Sequence, residues 1–178
     1  MRRVFMLLLL VSLAIAGSII EALATEIVHF ESAQYRLGAL AARRAAADKI
    51  PRAPAPAISG YLVMPNGTGH FPAIVLLHGC NGLSASFKSD AAKSPWVSRL
   101  VDWGYAVLAI DSFTARGVTE TCDVGIETYR VADAYGALSF LSHRSDIDIK
   151  HVILLGFSAG SIAVLSVVQK GFDLIEVR

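Results

Sequence analysis

Residues 156–160 read Gly-Phe-Ser-Ala-Gly, a G-x-S-x-G pattern. The apolar run Val152 to Leu155 precedes it, and the sequence from Ala159 to about Gln169 is helix-like. A strand, a tight turn carrying a serine and a helix form the sequence signature of a nucleophile elbow, in which the serine hydroxyl stands exposed. Such a hydroxyl attacks a carbonyl only when a base takes its proton and a third group orients the base. In chains built this way the acid and the histidine follow the serine. Only 20 residues follow Ser158, and none is histidine. A glycine-flanked serine that merely caps a helix is the competing reading, and the strand before the turn argues against it.

Two further loops fall at ends of apolar runs. The first is His78-Gly79-Cys80-Asn81-Gly82, after "PAIVLL". Glycines there let the backbone approach a substrate, and an N–H of this loop can face a developing oxyanion. The N–H after the serine, on Ala159, is the natural second donor. The other loop is "DSFTARG", Asp111 to Gly117, which places Arg116 beside the site. Arginine can grip a carboxylate through two parallel hydrogen bonds.

The remaining titratable residues are weaker candidates. His78 is the nearest substitute base, and its place in the loop reads better as a loop-fixing or substrate-pocket residue. His29, His70, His143 and His151 read as surface or structural. Asp111 ends a strand and could serve as an acid, but it still needs a histidine. Asp173 and Glu176 follow the elbow helix too closely to circle back. Asp133 is expected on a solvated helix face.

The elements that must position these residues alternate. "EIVHF" (26–30), "GYLVMP" (60–65), "PAIVLL" (72–77), "YAVLAID" (105–111) and "HVILLG" (151–156) read as strands. Continuous apolar runs of this kind fit strands buried on both faces of a parallel sheet. Between them, Ser94 and Pro95 open a helix carrying Trp96, Val97, Leu100 and Val101 on one face, and Gly104 closes it. Val131, Ala134, Tyr135, Leu138 and Leu141 mark a second helix. The alternation predicts an α/β fold, a mostly parallel sheet with flanking helices. "LAARRAAADK" (40–49) is helix-prone, and "PRAPAPA" (51–57) reads as an extended linker.

The N-terminus has its own character. Arg2 and Arg3 precede an apolar run from Val4 to about Ile20, and Ala22-Leu23-Ala24 offers small residues for cleavage. This is the form of a secretory signal peptide, with cleavage expected after Ala24; the competing reading is an uncleaved anchor, for which an apolar run of about 17 residues is at the short limit. The expected organisation is therefore a signal peptide over 1–24, an N-terminal segment and linker over 25–57, and a partial α/β domain over 58–178. Export would leave the protein periplasmic or secreted, with no stable membrane span after cleavage. Loss of Arg2, Arg3 and Glu21 takes the 16 basic and 15 acidic residues to 14 of each. That balance gives no electrostatic case for nucleic acid or anionic membrane. In an oxidising compartment Cys80 and Cys122 can bridge, the alternative being two free thiols. Neither has the spacing of a metal ligand, so no metal is expected.

"VLLHGCNGL", "WGYAVLAIDSFTARG" and "LLGFSAGS", in this order, resemble the dienelactone hydrolase family of the α/β-hydrolase fold, over about Ile58 to Val168. The resemblance implies that Ser158 is the nucleophile and that Cys80 and Ala159 supply the oxyanion N–H groups. It also places Arg116 near a family arginine that binds the substrate carboxylate. The founding members carry a cysteine nucleophile and a glutamate where this chain has His78-Gly79. Both departures point to a general ester or lactone hydrolase, needing no cofactor. The family's aspartate and histidine have no counterpart here. The resemblance thus leads to the expectation of a chain truncated before its C-terminal strands, inactive or weakly active by itself, with an exposed sheet edge prone to self-association. The alternatives are an enzyme with His78 as base, and a non-catalytic secreted binding module or gene remnant.

Overall fold

The structure, a computed structural model, describes residues 23–33, 35–37, 57–123, 129–168 and 175–177. The expected leader up to residue 22, the expected helix 40–49 and nearly all of the expected linker lie outside the described residues.

Five strands form one sheet in the order β1-β3-β5-β4-β6. These are β1 (Thr25–Phe30), β3 (Ile58–Val63), β5 (Ala106–Asp111), β4 (Phe71–Leu77) and β6 (Ile147–Gly156). β5, β4 and β6 run parallel, with Leu77 level with Ile110 on one side and Gly156 on the other. β1 and β3 add an antiparallel flank, Gly60 facing Val28 and Ile110. A separate antiparallel pair joins β2 (Tyr35–Leu37) to β7 (Ile175–Val177).

The apolar runs of β3, β4 and β5 are continuous because helices cover both faces of the sheet there, whereas β6 is only partly covered, with Ile153 46% exposed. On one face Ala73, Val75, Leu77, Leu108 and Ile110 pack against Ala134, Ala137 and Leu141 of α3 (Tyr129–Ser142) and Ala163 of α4 (Ala159–Val168). On the other, Ile74, Leu76, Val107 and Ala109 pack against Val97, Leu100 and Val101 of α2 (Pro95–Asp102). The short α1 (Ala85–Ser89) precedes α2 and is capped by the Ser84 side chain. α2 has Pro95 at its start, as its sequence predicts, but the Ser94 side chain makes no capping bond. Gly104 ends the helix at φ 88°, with its N–H donated to the Val101 carbonyl. Trp96 turns outward, 55% exposed, although its spacing placed it with the apolar face.

The topology decides where a ligand can sit. From β4 the chain crosses to β5 on one side, then returns to β6 on the other. At such a switch point the loops after adjacent parallel strands diverge and leave a crevice at the strands' carboxyl ends. The loops after β4, β5 and β6 are the three that the sequence singled out. β6 is the last strand of the sheet among the described residues.

Candidate active site

Ser158 follows β6 directly and is exposed. Its φ is +50°, the only non-glycine residue in the left-handed region among those described. That backbone costs about 1–3 kcal/mol for a residue with a Cβ and persists where the surroundings impose it. Here they do. A Cβ on Gly156 would run into the Gly160 carbonyl group and the Ser161 nitrogen. A Cβ on Gly160 would overlap the Leu77 and His78 carbonyl oxygens. Both glycines are thus required for α4 to start hard against the ends of β6 and β4. The Phe157 N–H donates to Leu77 O at 3.0 Å, and Ser161 N–H and Oγ both donate to Ser158 O, at 2.9 and 2.6 Å. The turn is fixed and the Ser158 side chain is left outside it.

The loop after β4 lies against this turn. A Cβ on Gly79 would stand 3.6 Å from Ser158 Cβ and 3.5 Å from Phe157 O. The structure therefore brings Ser158, Ala159, His78, Gly79 and Cys80 together. Among the described residues the Cys80 and Ala159 N–H groups donate to no turn or loop carbonyl. A disulfide joins Cys80 to Cys122, and Thr121 N–H donates to Cys80 O at 2.9 Å.

His78 is 3% exposed and packs edge-on to Phe113, ring centroids 4.4 Å apart. Its Nδ1 lies 2.7 Å from Gly79 O, which can only accept, and 3.3 Å from Arg130 Nη2, which can only donate; the shorter contact, to the carbonyl, favours the tautomer with the proton on Nδ1. The Arg130 guanidinium donates to the His78 carbonyl. Burial, reinforced by the Arg130 charge, lowers the His78 pKa to about 4. At neutral pH the ring is uncharged and too weakly basic for a general base, and no hydrogen bond joins it to Ser158. The loop-fixing reading of His78 is the one that fits this geometry.

Arg116 does not face a substrate. Its Nη1 and Nη2 bind both Asp133 oxygens at 2.9 and 2.7 Å, Nη1 also binds Ser112 O at 2.6 Å, and Tyr129 covers its other face at 4.2 Å. The two side chains are 5% and 0% exposed. The two-pronged grip expected for a substrate carboxylate is spent on an internal one. Asp133 is correspondingly not solvated: it is buried at the first turns of α3, where it also accepts from Ser32 Oγ at 2.6 Å.

Asp111, at the end of β5, is 1% exposed and bound by Lys88 Nζ at 2.7 Å and Thr114 Oγ1 at 2.6 Å. Burial opposes its charge, but these donors, with the Thr114 and Phe113 N–H groups, hold its pKa below the usual carboxylate value. It is an ionised anchor for the loop after β5, and among the described residues its hydrogen bonds go to Lys88, Thr114 and the Phe113 N–H rather than to a histidine. His29, His70, His143 and His151 are all exposed and away from the elbow, and His151 pairs with Asp148. Among the described residues no three His, Cys, Asp or Glu side chains cluster as metal ligands, and no helix is long and apolar enough to cross a membrane. The signal that sequence reasoning missed is Arg130, 1% exposed behind the loop after β4; it donates to a backbone carbonyl there, which no side-chain pattern could disclose.

No protein-family model and no curated protein sequence matches the chain. Solved structures do. A dienelactone hydrolase-like promiscuous phosphotriesterase from metagenomic libraries superimposes with a TM-score of 0.53 at 19% identity, over 84% of this chain and 56% of that one. An acetyl xylan esterase from a Paenibacillus species gives 0.53 at 19% identity, over 85% and 46%. A thermostable carboxylesterase cloned from a metagenomic library gives 0.50 at 20%, over 80% and 40%. The fold is that of the α/β hydrolases, and the chain spans about half the length of the structures it matches.

Proposed function

We propose, from that fold and the turn it carries, that this chain holds the nucleophile and oxyanion-binding part of a serine hydrolase for esters or lactones, of the dienelactone hydrolase kind. The observation that carries the reading is Ser158 held at φ +50° between two glycines at which any Cβ would collide with backbone atoms. Backbone strain of this kind is maintained where it serves a site. In the proposed reaction Ser158 Oγ attacks the acyl carbon and gives up its proton to a base. The carbonyl oxygen becomes an oxyanion between the Cys80 and Ala159 N–H groups. The alcohol leaves with a proton, and water then releases the acid from the acyl-serine. A small-molecule ester or lactone is the substrate class, supported by the esterase names of the fold neighbours.

The described residues supply no base within hydrogen-bond reach of Ser158. We therefore expect the chain alone to be inactive or weakly active, with only the residual acceleration of an oxyanion site, about 10³–10⁴ over water in other serine hydrolases. Export to an oxidising compartment is part of the proposal, and the Cys80–Cys122 bridge supports it, since such bridges persist outside the cytosol.

The test is p-nitrophenyl acetate hydrolysis by the purified chain, with a fluorophosphonate probe read by peptide mass. Slow adduct formation confined to Ser158 and lost in Ser158→Ala supports the reading. Labelling elsewhere, or ligand binding indifferent to Ser158→Ala, would favour a non-catalytic binding module. Rapid turnover abolished by His78→Ala would restore His78 as base and overturn the expected inactivity.

A further inference from the structure

The Cys80–Cys122 bridge sits where a bridge can do more than hold the chain together. An oxyanion donor acts only if its N–H is already aimed, and displacements of about 0.5 Å matter. The Cys80 N–H belongs to the Gly79–Cys80 peptide, whose atoms are coplanar and trans, so fixing the Gly79 carbonyl aims the N–H the opposite way. That carbonyl accepts from His78 Nδ1 at 2.7 Å and from Gly82 N–H at 3.2 Å. Gly82 is itself held at φ +72°, against the Phe113 ring. Among the described residues the other side of Cys80 is restrained by Thr121, whose N–H and Oγ1 donate to Cys80 O at 2.9 and 3.4 Å, and by the disulfide to Cys122, one residue further on. Cys122 is exposed and Cys80 half-buried, so the bridge is open to solvent reductants.

We propose that Cys122 is a positioning residue for the oxyanion site: through its disulfide it clamps the Cys80 peptide beside Ser158, and reduction of the bridge releases that clamp. The proposal rests on the serine-hydrolase reading for its functional meaning. A dithiol reductant carries out the release in two steps. Its thiolate attacks one bridge sulfur, forming a mixed disulfide and expelling the other cysteine as thiolate. Its second thiol then closes the reductant's own disulfide. Two electrons and two protons pass to Cys80 and Cys122, which end as thiols.

The experiment compares the oxidised chain with the same chain reduced by dithiothreitol, and with Cys80→Ser/Cys122→Ser. Amide exchange is followed at Gly82 and Thr121, whose N–H groups report the two sides of the clamp. Phosphorylation of Ser158 by diethyl p-nitrophenyl phosphate is timed by intact mass. Reduction is expected to speed exchange at Gly82 and Thr121 at least tenfold, leave Leu77 and Ile110 unchanged, and slow Ser158 phosphorylation by about 10²-fold, the usual effect of losing one oxyanion donor. Reoxidation restores both, and the double variant is indifferent to dithiothreitol. Unchanged exchange at Gly82 and Thr121, exchange raised equally through the whole sheet, or equal Ser158 reactivity in both redox states would overturn the proposal. Ser158 unreactive in both states defeats the hydrolase reading instead, and the exchange data alone then decide whether the clamp exists.

Discussion

Arg116 and Asp133 form a buried, two-pronged ion pair: both carboxylate oxygens are bound, at 2.9 and 2.7 Å, and Asp133 is fully buried. The pair ties the loop after β5 to the first turns of α3. Removing one partner of such a pair strands a charge in the interior, at a loss of about 3–5 kcal/mol, whereas replacing both with apolar groups of similar size is often close to neutral. Asp133→Ala is therefore expected to lose about 3–5 kcal/mol in urea unfolding. The double variant Arg116→Met/Asp133→Leu should recover most of that loss. If Arg116 instead served mainly to hold a substrate, Asp133→Ala would leave the urea midpoint nearly unchanged.

The elbow strain makes a second prediction. Ser158 occupies a backbone region that glycine enters without a steric penalty. Ser158→Gly relieves about 1–3 kcal/mol of strain, offset by the greater freedom glycine gives the unfolded chain, about 0.5–1 kcal/mol. The net expectation is a gain of about 1 kcal/mol and a higher melting temperature, together with complete loss of probe labelling at this position. By contrast, Gly160→Ala forces a methyl group onto the Leu77 and His78 carbonyl oxygens. Overpacking of that kind typically loses about 1–3 kcal/mol. A Gly160→Ala chain as stable as the parent would show that α4 does not begin against the end of β4.

The elbow and the α/β alternation were legible because each rests on local pattern. "AIVLLHG" is apolar at both parities, as a strand covered on both faces tolerates, and Gly156 of the G-x-S-x-G is demanded by contacts within a few residues, although Gly160 answers to the distant Leu77 and His78 carbonyls. What was not legible depended on long-range pairing. Asp133 looked like a solvated helix residue because nothing in the sequence pairs it with Arg116 on another loop. The antiparallel setting of β3 is equally hidden, since periodicity reports which faces are covered and not which way a strand runs. β6 starts at Ile147, five residues before the apolar run that opens at Val152: Phe71 pairs with Ile147 and Ala73 already with Val152, leaving the mostly polar "DIKH" bulged. Arg116, placed beside the site by its loop, was assigned to a substrate; a guanidinium at that position satisfies an internal carboxylate equally well.

The buried His78 fixes the sign of a pH effect. Its folded pKa, about 4, lies below its ordinary 6.5. Between these values the unfolded chain binds the proton and the folded chain does not, so stability falls as pH drops through that window. The contribution is fully present above about pH 6.5 and lost progressively toward pH 4, on the order of 3 kcal/mol at about 1.4 kcal/mol per unit. Asp111 adds a loss of the same sign lower down, since its pKa is depressed and its stabilisation goes only as pH falls below the usual carboxylate range. Urea unfolding at pH 7 and pH 4.5 should therefore differ markedly in the parent chain. His78→Asn, which keeps a donor for Gly79 O without titrating, should flatten the difference. An equal pH dependence in the variant would place the titrating group elsewhere.

The outer edge of β6 carries the last prediction. Among the described residues no strand pairs with it, and Ile149 and Ile153 are 42% and 46% exposed on the strand itself. On α4 beside it Ile162, Leu165 and Val168 are exposed as well, Leu165 at 62%. The bulge and the charged Asp148 and Lys150 protect the first half of this edge, but the run Val152 to Leu155 remains an unpaired apolar template for another strand. With a formal net charge of +1, the chain has little repulsion between copies to oppose association. Sedimentation of the purified chain is expected to show concentration-dependent self-association. Ile153→Lys should suppress it with little loss of stability, because the side chain already meets solvent. Ile27→Lys, on the opposite edge at β1, is the control and should leave association unchanged. Association that survives Ile153→Lys but fails in Ile27→Lys would move the contact to β1 and leave the β6 edge without a role in it.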